Sequence, residues 1–143
     1  MKKKYIYFIA ICFVFITATA FAGTIRTGDD SLDESLNSLT EQVEKPEEFI
    51  KVNLATRFNQ PADKLIGYMN NEKIEVSEVF VISYLAASMG KESDAVMSDF
   101  KTSNKNWSQF LKAYKIVKGN KEYRKLLKAS INIHPKPFIP KVK

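Results

Sequence analysis

The chain has 143 residues, of which 22 are Lys or Arg and 16 Asp or Glu, giving a formal net charge of +6. With one cysteine and one histidine it can build neither a disulfide framework nor a cysteine–histidine metal set. Its five glycines fall in no phosphate-cradling loop or dinucleotide fingerprint, and no calcium-loop spacing occurs.

Met1 to Ala22 reads as an export signal. Lys2, Lys3 and Lys4 form a basic start, Tyr5 to Phe21 is apolar, and Ala20-Phe21-Ala22 offers the small residues a signal peptidase reads, so cleavage before Gly23 is expected. The alternative is an uncleaved anchor, because the apolar stretch is nearly long enough to span a bilayer. Cys12 lies within the apolar run rather than at the cleavage point, which argues against lipidation. Cleavage would leave 121 residues, enough for one domain with a modest core. Three basic residues and no acidic ones would be lost, so 19 basic residues would face 16 acidic ones, for a net charge of +3. The expected organisation is a signal at 1–22, a leader at 23–30, a helical domain at 31–130 and an extended tail at 131–143.

Charge is distributed unevenly. Residues 23–50 carry a net −6, residues 51–100 a net −2, and residues 101–143 a net +11, with Glu122 the only acid among twelve bases. Such a split suits either a basic face for an anionic partner or attraction between the two ends of one fold.

The apolar period is near 3.6, and few glycines interrupt it, so the fold is expected to be all-α. Asp30 or Ser31 can cap a helix whose stripe is Leu32, Leu36, Leu39 and Val43. Pro46 opens a second helix, with Glu47 and Glu48 in its first turn and Phe49, Ile50, Leu54 and Phe58 inward. After Pro61 a short helix carries Leu65, Ile66 and Met69 and ends at Asn70-Asn71. Val79 to Met89 is the longest apolar run after the N-terminal segment. Ser77 can cap it and Gly90 can end it in a left-handed turn. With no charge on any face it should lie at the centre of the bundle, and at about eleven residues it is too short to span a bilayer.

Beyond Gly90, Ser93 or Lys91 starts a helix with Ala95, Val96 and Phe100 inward. Thr102 to Asn106 is a polar break. Trp107, Phe110, Leu111, Tyr114 and Val117 then recur at helical spacing, with Lys112 and Lys115 on the other side. Gly119 stops that helix, Asn120 can cap the last, and Tyr123, Leu126 and Leu127 point inward. Pro135, Pro137 and Pro140 forbid a helix in the tail. The expectation is a compact bundle of about six short helices around a buried central one, with an extended proline-containing tail.

Several stretches bear comparison with known sequences. Thr27-Gly28-Asp29 stands near Leu32-Asp33. Leu85-Ala86-Ala87-Ser88-Met89 leads into Gly90-Lys91. Trp107, Lys112, Ile116, Gly119, Glu122 and Tyr123 follow at fixed offsets. In these the chain resembles a family of small exported bacterial helical proteins, most of the mature length being covered. Asn106, Ser108 and Lys115 stand where that family has glycine, and Lys118 where it has proline. The resemblance implies an exported helical domain and carries no activity.

No catalytic constellation emerges. His134 has no companion ligand or orienting partner and sits before Pro135, as a solvated tail residue would. Ser88…Lys91 and Ser98…Lys101 match a Ser-x-x-Lys spacing, but the pattern is short enough to arise by chance. Glu47-Glu48, Glu75 with Glu78, and Asp94 with Asp99 read as solvated helix charges rather than an acid–base pair in a cleft. No metal ligands, cofactor site or catalytic residues are expected. Lys112, Lys115, Lys118, Lys121, Lys125 and Lys128 are the candidate face for an anionic partner, with Trp107, Tyr114 and Tyr123 as aromatic support. Aromatics among cations can also bind nucleic acid, but helical spacing and export disfavour it. The functional expectation is an exported, non-enzymatic protein that binds an envelope protein or anionic polymer through its basic C-terminal third. Membrane contact is expected only through an uncleaved signal. The alternatives are a small envelope hydrolase with an unlocated site and a membrane-tethered accessory protein. The Leu32-to-Val43 stripe could pack within the bundle or against a second copy.

Overall fold

The structure, a computed structural model, describes residues 25–141. The export signal expected at 1–22 lies outside the described residues. Among the described residues there are seven helices and no strand. They are α1 (Asp30–Gln42), α2 (46–58), α3 (Ala62–Glu72), α4 (Val76–Met89), α5 (Ser93–Thr102), α6 (Trp107–Ala113) and α7 (Lys121–Asn132). No helix among them is long and apolar enough to cross a membrane.

The centre is α4. Val79, Phe80, Val81, Ile82 and Leu85 have no exposed surface, and α1, α2, α3, α5 and α7 all pack on this helix. Ser83 is tolerated at the core because its hydroxyl donates to the Val79 carbonyl at 2.8 Å. The helix begins three residues earlier than the apolar run, because the cap is Glu75 rather than Ser77. Glu75 and Glu78 form a reciprocal capping box, with the Glu75 N–H donating to Glu78 Oε2 at 2.6 Å. Ser77 is buried instead and pairs with Thr40 on α1 at 2.6 Å. Gly90, at φ 61, ends the helix as expected.

Asp29, one residue before the expected cap, closes the start of α1. Its carboxylate accepts from the N–H groups of Ser31 and Leu32. Leu32, Leu36, Leu39 and Val43 are buried, and α1 lies on α4 and α7 of the same chain. Ser35 widens that stripe and bonds Ser130 of α7 at 2.8 Å, both side chains being fully buried.

Helix α2 comprises Pro46–Phe49, a π-helical stretch Ile50–Ala55 and Thr56–Phe58. The wider winding leaves Ile50 and Leu54 buried and turns Val52 outward, 63 % exposed. Phe58 packs against Phe80 and Tyr84. Helix α3 runs to Glu72, past the expected stop, and buries Tyr68 beside Leu65. On α5 the inner face is Ser93, Val96, Met97 and Phe100, steps of three and four, which leaves Ala95 in solvent.

The C-terminal elements depart furthest from the periodicity. Helix α6 stops at Ala113, and Lys115 turns left-handed at φ 57. The turn moves Ile116 into the core and Val117 out, 50 % exposed. Helix α7, capped by Asn120 as expected, runs to Asn132, two residues into the expected tail, and Ile133 is buried. His134 is no solvated tail residue: its Nδ1–H donates to the Ser130 carbonyl at 2.8 Å and its ring stacks on Phe138. Beyond it the chain crosses back over α1, where Lys136 meets Glu44 at 3.4 Å and the Lys141 N–H donates to Glu34.

Lys115 occupies a backbone region that costs an L-residue roughly 1–2 kcal/mol. Lys115→Gly should therefore stabilise the protein by about 0.5–1 kcal/mol, after the larger chain entropy of unfolded glycine is subtracted. Gly119→Ala, at φ 84 with open space around the added Cβ, should destabilise it by a similar amount. Urea midpoints of the two variants check the sign.

Candidate functional site

The three aromatics expected to support a partner all turn inward, and each ends on a carboxylate. The Trp107 indole N–H donates to Glu78 at 3.0 Å, Tyr114 to Asp99 at 2.6 Å, and Tyr123 to Asp29. Tyr68 does the same to Asp94. Trp107 also stacks on Phe100, with ring centroids 4.2 Å apart, and Phe110 joins that pair to Tyr114. These rings belong to the core, and their polar tips are satisfied there. None is left free to stack on a ligand.

Three of the four carboxylates carry a lysine as well. Lys118 meets Asp29 at 2.8 Å, Lys64 meets Asp94 at 2.7 Å, and Lys91 meets Asp99 at 3.6 Å while lying over the Tyr114 ring. The tyrosine hydroxyls are correspondingly hard to ionise. Burial and then the neighbouring carboxylate push Tyr68 up to about 12, and the same causes raise Tyr114 and Tyr123 further. A phenol held protonated by an aspartate is a donor and not a nucleophile.

The six lysines do not share one face. Lys112 and Lys118 line a cavity of about 200 Å³ with Thr27, Gly28, Asp29 and Ser108. Lys115 lines a different and larger one of about 780 Å³, whose walls include Met89, Phe110 and Tyr114. Lys121, Lys125 and Lys128 recur at steps of four and three along the exposed side of α7. Arg124, which the lysine pattern passes over, stands among them. Lys125 bonds Glu122 on the same helix at 3.0 Å. Among the described residues Lys112, Lys115, Lys121, Arg124 and Lys128 make no ion pair with an acidic side chain. Lys101, Lys118 and Lys136 reach acids elsewhere in the chain. Attraction within the fold therefore accounts for part of the charge split, and three of the bases it leaves over, Lys121, Arg124 and Lys128, lie on α7.

The remaining catalytic candidates are committed elsewhere. The Ser88 hydroxyl donates to the Leu85 carbonyl, and Lys91 and Lys101 pair with Asp99 and Glu72. Glu75 and Glu78 form the cap of α4. Among the described residues no group of three His, Cys, Asp or Glu is placed to hold a metal ion.

Compared with known proteins, the chain matches no family model, no curated protein and no solved structure.

Two buried carboxylates titrate in opposite senses. Burial alone would raise Asp29, but hydrogen bonds from Lys118, Tyr123 and the Leu32 N–H outweigh it and hold its carboxyl below the ordinary 3.8. Its contribution is therefore complete above that value and is lost as pH falls through the lowered folded value. Asp29→Asn should cost about 1–2 kcal/mol near neutrality, and the cost should shrink when urea midpoints are measured below about pH 3. For Glu78, burial outweighs the Glu75 and Trp107 hydrogen bonds and raises the carboxyl above 4.5. Its ionised form disfavours folding as pH rises through that range. Trp107 is the only tryptophan, so its fluorescence should show a titration step above pH 4.5 that Glu78→Gln abolishes.

Proposed function

We propose that this is an exported, non-enzymatic helical protein that binds an anionic component of the cell envelope through the outer face of α7. The observation that carries this reading is the run Lys121, Arg124, Lys125 and Lys128, exposed on one side of one helix and opposed on that helix by Glu122 alone. Four like charges at this spacing repel one another and contribute nothing to the core, whereas they raise the local concentration and association rate of a polyanion. Binding rather than catalysis is supported by the tyrosines, Ser88, Lys91 and Lys101, which are already held in structural contacts. Export is supported by the basic-then-apolar start of the chain and by the family it resembles.

Of the six lysines first considered, Lys121, Lys125 and Lys128 carry the contact. Lys112 lines the small cavity with Lys118, which is spent on Asp29, and Lys115 belongs to the larger cavity. On an anionic matrix the triple change Lys121→Gln, Lys125→Gln and Lys128→Gln should move elution to clearly lower salt and weaken binding at least roughly tenfold. Removing Lys51 and Lys73, exposed on α2 and just after α3, should leave elution where it was. If the two sets of variants behave alike, the α7 reading fails.

A further inference from the structure

We infer that the outer face of α7 seats on the headgroup layer of an anionic phospholipid leaflet, lying along the surface without crossing it. The inference rests on the reading of α7 as the contact face and adds the chemistry of what it touches. At roughly 100° per residue, Lys121, Arg124, Lys125, Lys128 and Ile131 fall within an arc of about 120°. The opposite side holds the buried Tyr123, Leu126 and Ser130.

What separates a lipid surface from a dissolved polyanion is an apolar side chain within the row itself. Ile131, in the last turn of α7, is 37 % exposed and shares the arc of the cations. A soluble polymer of phosphates has nothing to offer Ile131. A leaflet does: phosphates meet the ammonium and guanidinium heads while apolar side chains and lysine stems sink toward the acyl boundary.

The charges around the face are compatible with this. Glu122 borders it and is held by Lys125. Asp29 is held by Lys118. Glu34 on α1, the helix packed beneath α7, accepts from the Lys141 N–H of the tail, and Glu44 just past that helix pairs with Lys136. The helix is about 18 Å long, so its whole row can touch one flat surface.

The test uses the protein as recovered from cells, with variants that share its N-terminus. Binding is measured by co-sedimentation with vesicles of equal parts phosphatidylglycerol and phosphatidylcholine, with vesicles of phosphatidylcholine alone, and with soluble polyphosphate. The expected result is salt-sensitive binding to the anionic vesicles and little to the neutral ones. Ile131→Ser should weaken vesicle binding about tenfold and leave polyphosphate binding unchanged. Lys121→Gln with Arg124→Gln and Lys128→Gln should weaken both, since each base near an anionic leaflet strengthens binding about fivefold. All four side chains are exposed, and an unchanged melting curve shows that the variants are folded. Polyphosphate binding without vesicle binding, or an Ile131 variant that binds vesicles like the parent, overturns the lipid assignment and leaves the anionic-partner reading standing. Equal binding to neutral vesicles overturns it as well. Failure to bind either anion sinks both.

Discussion

The fold is organised by the need to keep water off α4. A helix with polar residues on one face needs neighbours on the other only, but α4 carries Val79, Phe80, Val81, Ile82 and Leu85 around its circumference. Five of the other six helices are drawn onto it, and α6 reaches it through the hydrogen bond from Trp107 to Glu78. The central placement is thus a consequence of composition: no arrangement of this segment at the edge of a bundle would cover its third side.

A second constraint comes from large aromatic side chains with polar tips. Tyr68, Tyr114 and Tyr123 bury their rings and must still satisfy a hydroxyl, and in each case an aspartate accepts it with a lysine beyond. Deleting only Asp29 would strand the buried Tyr123 hydroxyl, whereas Tyr68 keeps Ser93 as a second partner. The same arrangement governs surface charge. It neutralises the basic C-terminal third where that third touches the rest of the chain. Asp29 takes Lys118, Glu72 takes Lys101, and Glu44 takes Lys136. The net +11 of the last 43 residues therefore overstates what an incoming partner meets, and α7 is where the remainder is concentrated.

Much of the architecture was legible in the sequence because it is written locally. Pro46, Gly90, Gly119 and Asn120 mark helix ends through their own backbone preferences, and leucines at steps of three and four mark the inner face of α1. The features that escaped depend on residues far apart in the chain. Asp29 outcompetes Asp30 and Ser31 as a cap because Tyr123, 94 positions away, fixes its carboxylate. Ser77 loses the cap of α4 to Glu75 because Thr40 holds its hydroxyl. Lys115 breaks α6 although nothing in its chemistry announces a left-handed turn, and the exchange of Val117 for Ile116 follows. The lysine row of α7 was visible as a spacing. Its separation from Lys112, Lys115 and Lys118, and the inward turn of Trp107, Tyr114 and Tyr123, required the packing.

The firmness of α7 matters as much as its charge. Two buried contacts on its inner side hold it, Tyr123 on Asp29 near the start and Ser130 on Ser35 toward the end, and His134 closes its C-terminal turn on the Ser130 carbonyl. A helix of 12 residues with four cations on one side would be marginal alone, since like charges at helical spacing oppose its formation. Tertiary packing supplies the stability that the charged row removes. The row is then held in one orientation, so the binding proposed for it would not have to order it first, which lowers the entropy cost of engagement.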